Sequence, residues 1–253
     1  MKPVDLSVIV TLHSESVVAG PTICSAEAAV AHAERQGFSV ECLLAFDTPS
    51  DACRAFFDQP AYARWTKCEF RFRDQGKTRN TAIADARGRW VALLDGDDLF
   101  SENWLTEALK LLSDAEAQNR RVVVHPELNW IFDAGQFVFA KPNQSDALFS
   151  SFYFSCANYY DALCVAPRQA WIDHPYPDRA VKDGFAYEDW QWGVETLAAG
   201  WVHVTAPNTI IFKRRRDSSQ THESRSNTVM IRAIEATAID GILARGPRSA
   251  RAL

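Results

Sequence analysis

The chain opens with an apolar run over residues 6–12, interrupted only by Ser7 and Thr11. Such a run predicts a strand covered on both faces. A helical pattern follows over 19–36 and stops at Gly37, which suits a helix C-terminus. Val40, Cys42, Leu44 and Phe46 predict a second strand, and a polar turn over 47–51 starts the next helix. Cys68, Phe70 and Phe72 alternate with Glu69, Arg71 and Arg73, which predicts a half-exposed third strand over 68–73. A helix over 77–87 closes at Gly88, and 90–94 reads as a buried fourth strand. Strands alternating with helices predict an α/β chain with a mainly parallel sheet.

The second half reads differently. Ser101 is expected to cap a helix whose apolar face is Trp104, Leu105, Ala108, Leu111, Leu112 and Ala115. Trp130 and Phe132 face Phe137 and Phe139 across a turn at 133–136, a hairpin signal. A helix is predicted from Glu188 to Gly200, short strands at 201–205 and 209–213, and a last helix over 228–243. Neither a repeat nor a Pro/Gly/Ser linker divides the chain, so 1–253 is expected to be one domain.

With 253 residues, 47% hydrophobic and 23% charged, the composition is that of a globular chain. A net charge of −5 argues against a general nucleic-acid binder, which is usually basic. Apolar runs fall short of the roughly 20 residues of a membrane span. The first twelve residues read as a strand rather than a signal peptide, so a cytoplasmic protein is expected. Cys24, Cys42, Cys53, Cys68, Cys156 and Cys164 form no C-x-x-C pair and are expected to be reduced.

Chemistry concentrates where the fourth strand ends. Asp95-Gly96-Asp97-Asp98 places three carboxylates in four residues. A pair about 5 Å apart repels by about 3 kcal/mol at an effective dielectric near 20. A divalent cation relieves that repulsion, and a site with few protein oxygens suits Mg²⁺ or Mn²⁺ sharing its shell with phosphate and water. Glu188-Asp189 opens a helix, whose N-terminus favours an ionised carboxylate able to act as a general base. The basic run 213–216 could meet a pyrophosphate, with His222 a further metal ligand. Gly76-Lys77-Thr78 imitates a P-loop end, but Arg71 occupies the place of its first glycine.

These segments, in this order, resemble glycosyltransferase family 2, the inverting GT-A enzymes. The likeness is carried by the opening strand with His13 and Glu15, by Gly76-Lys77-Thr78-Arg79-Asn80, by the Asp-x-Asp strand at 88–98, and by Glu188-Asp189-Trp190. The resemblance implies a Rossmann-like, three-layer GT-A fold, with a nucleotide-sugar half at about 1–100, an acceptor half at about 101–212 and a basic loop and helix at about 213–253. It implies that His13, Glu15 and Asp47 border the donor nucleoside, with Asp47 on the base, and that Arg79 lies near base or phosphates. Asp95 would touch the ribose or a metal-bound water, Asp97 would bind Mn²⁺ or Mg²⁺, and Asp98 would support it. Asp189, beside Glu188, would deprotonate the acceptor hydroxyl, and Arg214 and Arg216 would meet the leaving diphosphate. UDP-sugar is the expected donor. A glycan, lipid-linked or other hydroxyl compound is the expected acceptor, in surface glycan or polysaccharide synthesis, with any membrane contact peripheral.

Two other functions fit the scaffold less well. A sugar nucleotidyltransferase would need a Gly-rich basic loop after the first strand, where Thr11-Leu12-His13-Ser14-Glu15 stands. A non-catalytic carbohydrate-binding domain could stack sugars on Trp130, Phe132, Phe152, Tyr153, Tyr159, Tyr160, Trp190 and Trp192, but it would have no use for Asp97 and Asp189 together.

Overall fold

The computed structural model describes residues 3–216, 224 and 226–244. Its first half alternates β1 (Val4–Leu12), α1 (Ala19–Arg35), β2 (Val40–Asp47), α2 (Asp51–Phe57), β3 (Thr66–Phe70), α3 (Gln75–Asp85) and β4 (Gly88–Asp95). There follow β5 (Leu99–Phe100), α4 (Trp104–Ala117), the hairpin β6 (Val122–Asp133) and β7 (Phe137–Ala140), α5 (Ser151–Cys156), β8 (Val165–Pro167), α6 (Arg168–Asp173), α7 (Glu188–Ala198), β9 (Val202–Arg215) and α8 (Ile239–Ala244). One sheet runs in the order β3-β2-β1-β4-β8-β6-β9-β5, with β7 paired to β6. β3, β2, β1 and β4 are parallel, β8 is antiparallel to both neighbours, and β6 and β9 are parallel to each other.

Side chains alternate across a strand, and β1 shows what that builds. Leu6, Val8, Val10 and Leu12 pack with residues of α1, α2 and α4 on one face. Ile9, on the other, packs with Ala82 and Ile83 of α3, Trp171 of α6 and Trp192 of α7. The result is the three-layer arrangement expected of a doubly covered sheet. β1, β2 and β4 end together at Leu12, Asp47 and Asp95, so the polar residues that follow share one sheet edge, where open α/β sheets bind ligands.

Several predicted elements differ. β3 stops at Phe70 rather than continuing to 73, because the next backbone N–H groups turn away to Asp47. The helix expected to be capped by Ser101 starts at Trp104, with Ser101 bonded to Asn103. The two short strands predicted at 201–213 are one strand, β9, irregular opposite Pro126 and Leu128. The helix predicted over 228–243 is helical only near its end. Val229 and Ile231 are buried and Met230 exposed, an alternation that docks an extended segment on the Gly184 and Ala186 backbone. All six cysteines are free. Among the described residues no helix is long and apolar enough to cross a membrane.

Candidate active site

A cleft of about 670 Å³ opens at the ends of β1, β2 and β4, and its far wall is the end of β9. His13, Glu15, Asp47, Arg73, Gln75, Asp95, Asp97 and Lys213 to Arg216 are among its lining residues. The turn after β4 sits close against β1. Gly96 donates its N–H to Thr11 at 3.0 Å, and a Cβ there would lie 2.6 Å from Leu12 and 2.9 Å from the Thr11 carbonyl. Only glycine fits that approach, and it sets the three carboxylates around it in different directions.

Asp95 is the most engaged of the three. It accepts from Arg79 Nη2 at 2.6 Å, Gln75 Nε2 at 2.8 Å and Thr11 Oγ1 at 3.0 Å. Burial works to raise its pKa, but Arg79, Lys213 and these bonds hold it below the usual carboxylate range. Asp98 is 2% exposed, accepts the Arg214 N–H at 2.7 Å and lies 3.3 Å from Lys213 Nζ, so it anchors β9. Burial, with Asp95 and Asp97 nearby, pushes it up to about 7 despite Lys213. Asp97 meets Arg216 Nε at 3.0 Å. Burial raises its pKa, aided by Asp95 and Glu15 and opposed by Arg216.

At the opposite end, Asp47 accepts the backbone N–H groups of Phe72, Arg73 and Asp74, each at 2.9 Å. Burial opposes ionisation there, and these bonds still hold its pKa low. His13 Nδ1 is 2.7 Å from the Asp47 carbonyl, and Glu15 takes the N–H groups of His13 and Ser14. Arg214 reaches out to Asp133 at 2.7 Å, and Arg216 also lies 3.7 Å from Glu15.

Arg79 is not in the cleft wall. Its guanidinium is 2% exposed, behind Asp95, and its second partner is Glu188 at 3.5 Å. It therefore ties the Asp-x-Asp turn to the first turn of α7. Tyr187 enters that helix with φ 64°, a left-handed backbone that is costly for an aromatic residue. Asp189 follows, half-buried, and among the described residues it accepts only its neighbouring Trp190 N–H, at 2.8 Å. The helix N-terminus was expected to keep Asp189 ionised. Burial, Glu188 and Asp161 outweigh it and Arg79, pushing Asp189 up to about 7.

The sequence singles out both members of the Asp95–Arg79, Arg79–Glu188 and Asp97–Arg216 pairs, but not Gln75, Arg73 or Asp161. Gln75 and Arg73 carry no motif, although the charged stretch after β3 marks a loop at the strand edge. Asp161 was invisible as a site residue. It accepts from Asn129 at 2.5 Å, lies 3.2 Å from Lys141 and 3.9 Å from Lys213, and these partners hold its pKa well down against burial. His222 lies outside the described residues.

Residues 7–150 match the family model described as Glycosyl transferase family 2. The chain belongs to this family. No curated protein matches it. Two solved structures show a similar fold. TarS 1-349 from S. aureus, in complex with UDP-GlcNAc, superposes with a TM-score of 0.59 at 13% identity over 86% of this chain and 60% of that one. The mannosyltransferase PcManGT from Pyrobaculum calidifontis, in complex with GDP-Man and Mn²⁺, gives 0.59 at 15% identity over 90% and 61%. The chain thus spans about 60% of the length of these structures. The GT-A architecture expected from the resemblance is the architecture observed.

The described residues bring together no three metal-ligating side chains. Asp97 alone, 11% exposed and with its pKa raised, is the carboxylate in the cleft least satisfied by protein. That donor set fits a cation shared with a diphosphate and water, and does not fit a protein-only cage.

Proposed function

We propose that this family 2 protein transfers a sugar, with inversion, from a nucleoside-diphosphate sugar to a hydroxyl acceptor, using Mn²⁺ or Mg²⁺. Surface glycan or polysaccharide synthesis is the proposed context. The observation that carries the reading is Arg79, which joins the donor cleft at Asp95 to the α7 turn bearing Asp189, a carboxylate poised near neutral pH.

The charged end of the cleft suits the diphosphate. Lys213 and Arg216 stand there as fixed cations, able to meet charge on the leaving oxygens. Asp97 would hold the divalent cation, which supplies further neutralisation of that charge. His13 and Glu15 border the nucleoside. Asp189 takes the proton of the acceptor hydroxyl. The freed oxygen forms a bond to the anomeric carbon, the bond from that carbon to the phosphate oxygen breaks, and the diphosphate leaves with the electron pair. Attack from the side opposite the leaving group inverts the anomeric centre. Glu188, paired with Arg79, holds the turn that presents Asp189.

The test is nucleotide binding by calorimetry with and without Mn²⁺, for the protein and for Asp97→Ala, followed by diphosphate release from nucleotide sugars. Metal-dependent binding weakened about a hundredfold in the variant is the expected result. Identical affinities with and without metal, in both proteins, would remove Asp97 from the metal role.

A further inference from the structure

We propose that Arg73 selects the nucleobase of the donor, and that the base it selects is guanine. This rests on the reading of the cleft as a nucleoside-diphosphate-sugar site. The cleft has two chemically distinct ends. Lys213, Arg216 and Asp97 form one, where a diphosphate belongs; Asp47, Thr48, Arg73 and Asp74 form the other, which leaves that end to the base.

The carboxylates at the base end are already committed. Asp47 Oδ1 accepts the Phe72 and Arg73 N–H groups, and Oδ2 accepts that of Asp74. Asp74 in turn caps α3 through the Lys77 N–H at 3.0 Å and takes the Arg179 N–H at 3.2 Å. An acceptor for the N3–H of uracil would have to come from an oxygen that already takes one of these bonds. His13 is likewise engaged with the Asp47 carbonyl.

Arg73 is the contrast. Its backbone has φ 54°, a left-handed conformation that a non-glycine residue adopts at a cost, and the Asp47 carboxylate holds it there by the N–H groups on both sides. Its side chain lines the cleft, and among the described residues its guanidinium has no hydrogen-bond or ion-pair partner. The neighbouring cations differ: Lys213 faces Asp98, Arg214 faces Asp133 and Arg216 faces Asp97. A strained loop thus presents one uncommitted, planar, two-pronged donor where the base must lie.

The fork chooses among bases by counting adjacent acceptors. Guanine offers O6 and N7 side by side, and arginine meets both with parallel N–H groups. Adenine sets a donor beside N7, and uracil sets N3–H beside each carbonyl, so either base satisfies one prong only. Cytosine has two adjacent acceptors, O2 and N3, but on a smaller ring, and is the competitor to measure.

The experiment titrates the whole chain with GDP, UDP, CDP and ADP in the presence of Mn²⁺, and repeats it with Arg73→Ala and Arg73→Lys. GDP is expected to bind at least about tenfold more tightly than the other three. Arg73→Ala should bring GDP to the level of UDP while leaving UDP within about twofold. Arg73→Lys, which keeps the charge but lacks the fork, should behave like the alanine variant. Unchanged thermal melting of both variants shows that the loop is intact. UDP, CDP or ADP binding as tightly as GDP would overturn the proposal, and so would equal weakening of all four nucleotides, the mark of a phosphate contact. Binding without base preference leaves the donor-cleft reading standing and removes only the role of Arg73. Failure of every nucleotide to bind removes both.

Discussion

Asp95 and Asp189 stand on either side of one buried guanidinium and are driven in opposite directions. Asp95 is in contact with Arg79 at 2.6 Å, has two further donors and stays ionised. Asp189 feels the same cation at a distance, with Glu188 and Asp161 nearby and the Trp190 N–H at 2.8 Å as its donor. The same residue type therefore becomes a fixed charge in the cleft wall and a proton acceptor in the helix turn. What separates them is the company each keeps, since both lie at chain turns rich in polar groups.

The contrast is broken most severely by removing the proton acceptor. Asp189→Asn should lower turnover by about a thousandfold or more while nucleotide affinity stays within about twofold, because the substitution leaves the cleft untouched. Stopped-time transfer assays beside calorimetry separate the two quantities. Retained turnover would assign the base elsewhere. Next in size is Arg79→Met, which keeps the side-chain volume but leaves Asp95 and Glu188 facing each other without their cation. A buried pair that loses one partner costs roughly 3–5 kcal/mol. For a chain of this length that lowers the melting temperature by roughly 10 °C. A shift below about 2 °C would show that Asp95 finds enough support in Gln75 and Thr11.

A smaller and more graded effect is expected from pH. The working form of Asp189 is the ionised one, so turnover should climb about tenfold per pH unit below about 7 and level off above it. A profile already flat at pH 5 would mean that Asp189 keeps an ordinary carboxylate pKa in the working enzyme.

How much of this was readable in the sequence follows the same division. β1, β2 and β4 are long apolar runs ending in acidic turns, so both the strands and the turn at Asp95 to Asp98 stand out. β8 has three residues, and α5 and α6 have six each, too short for any periodicity to register. The acids were legible because they sit in motifs, whereas their cations come from far along the chain. Lys213 meets Asp98 across more than a hundred residues, and nothing in the pattern of α3 says that Arg79 turns inward between Asp95 and Glu188. Asp47 shows the limit in another way. It lines the cleft, and nothing in the sequence shows that its carboxylate also holds the loop that carries Arg73.

The smallest effect is a gain in stability, and it runs against the loss of activity. An acid whose folded-state pKa lies above its unfolded value of about 4 holds an extra proton when folded. The stability this contributes is complete below about pH 4 and is lost as pH rises through about 7, because the ionised form is the one that burial and Glu188 disfavour. The start of α7 returns only part of that, since a helix N-terminus favours a negative charge by about 0.3–1 kcal/mol. Asparagine at 189 does not titrate and escapes the penalty. Asp98 changes with pH as well, but equally in both proteins, and so cancels in the comparison. Asp189→Asn should therefore melt roughly 2–4 °C above the unsubstituted protein at pH 8, about 1 kcal/mol for a half-buried carboxylate. The gap should close as pH falls toward 4. Scanning calorimetry at pH 5 and pH 8 reads it directly. An equal gap at both values would mean that the carboxylate pays nothing for its charge in the folded protein, and its readiness to take a proton from the acceptor would need another source.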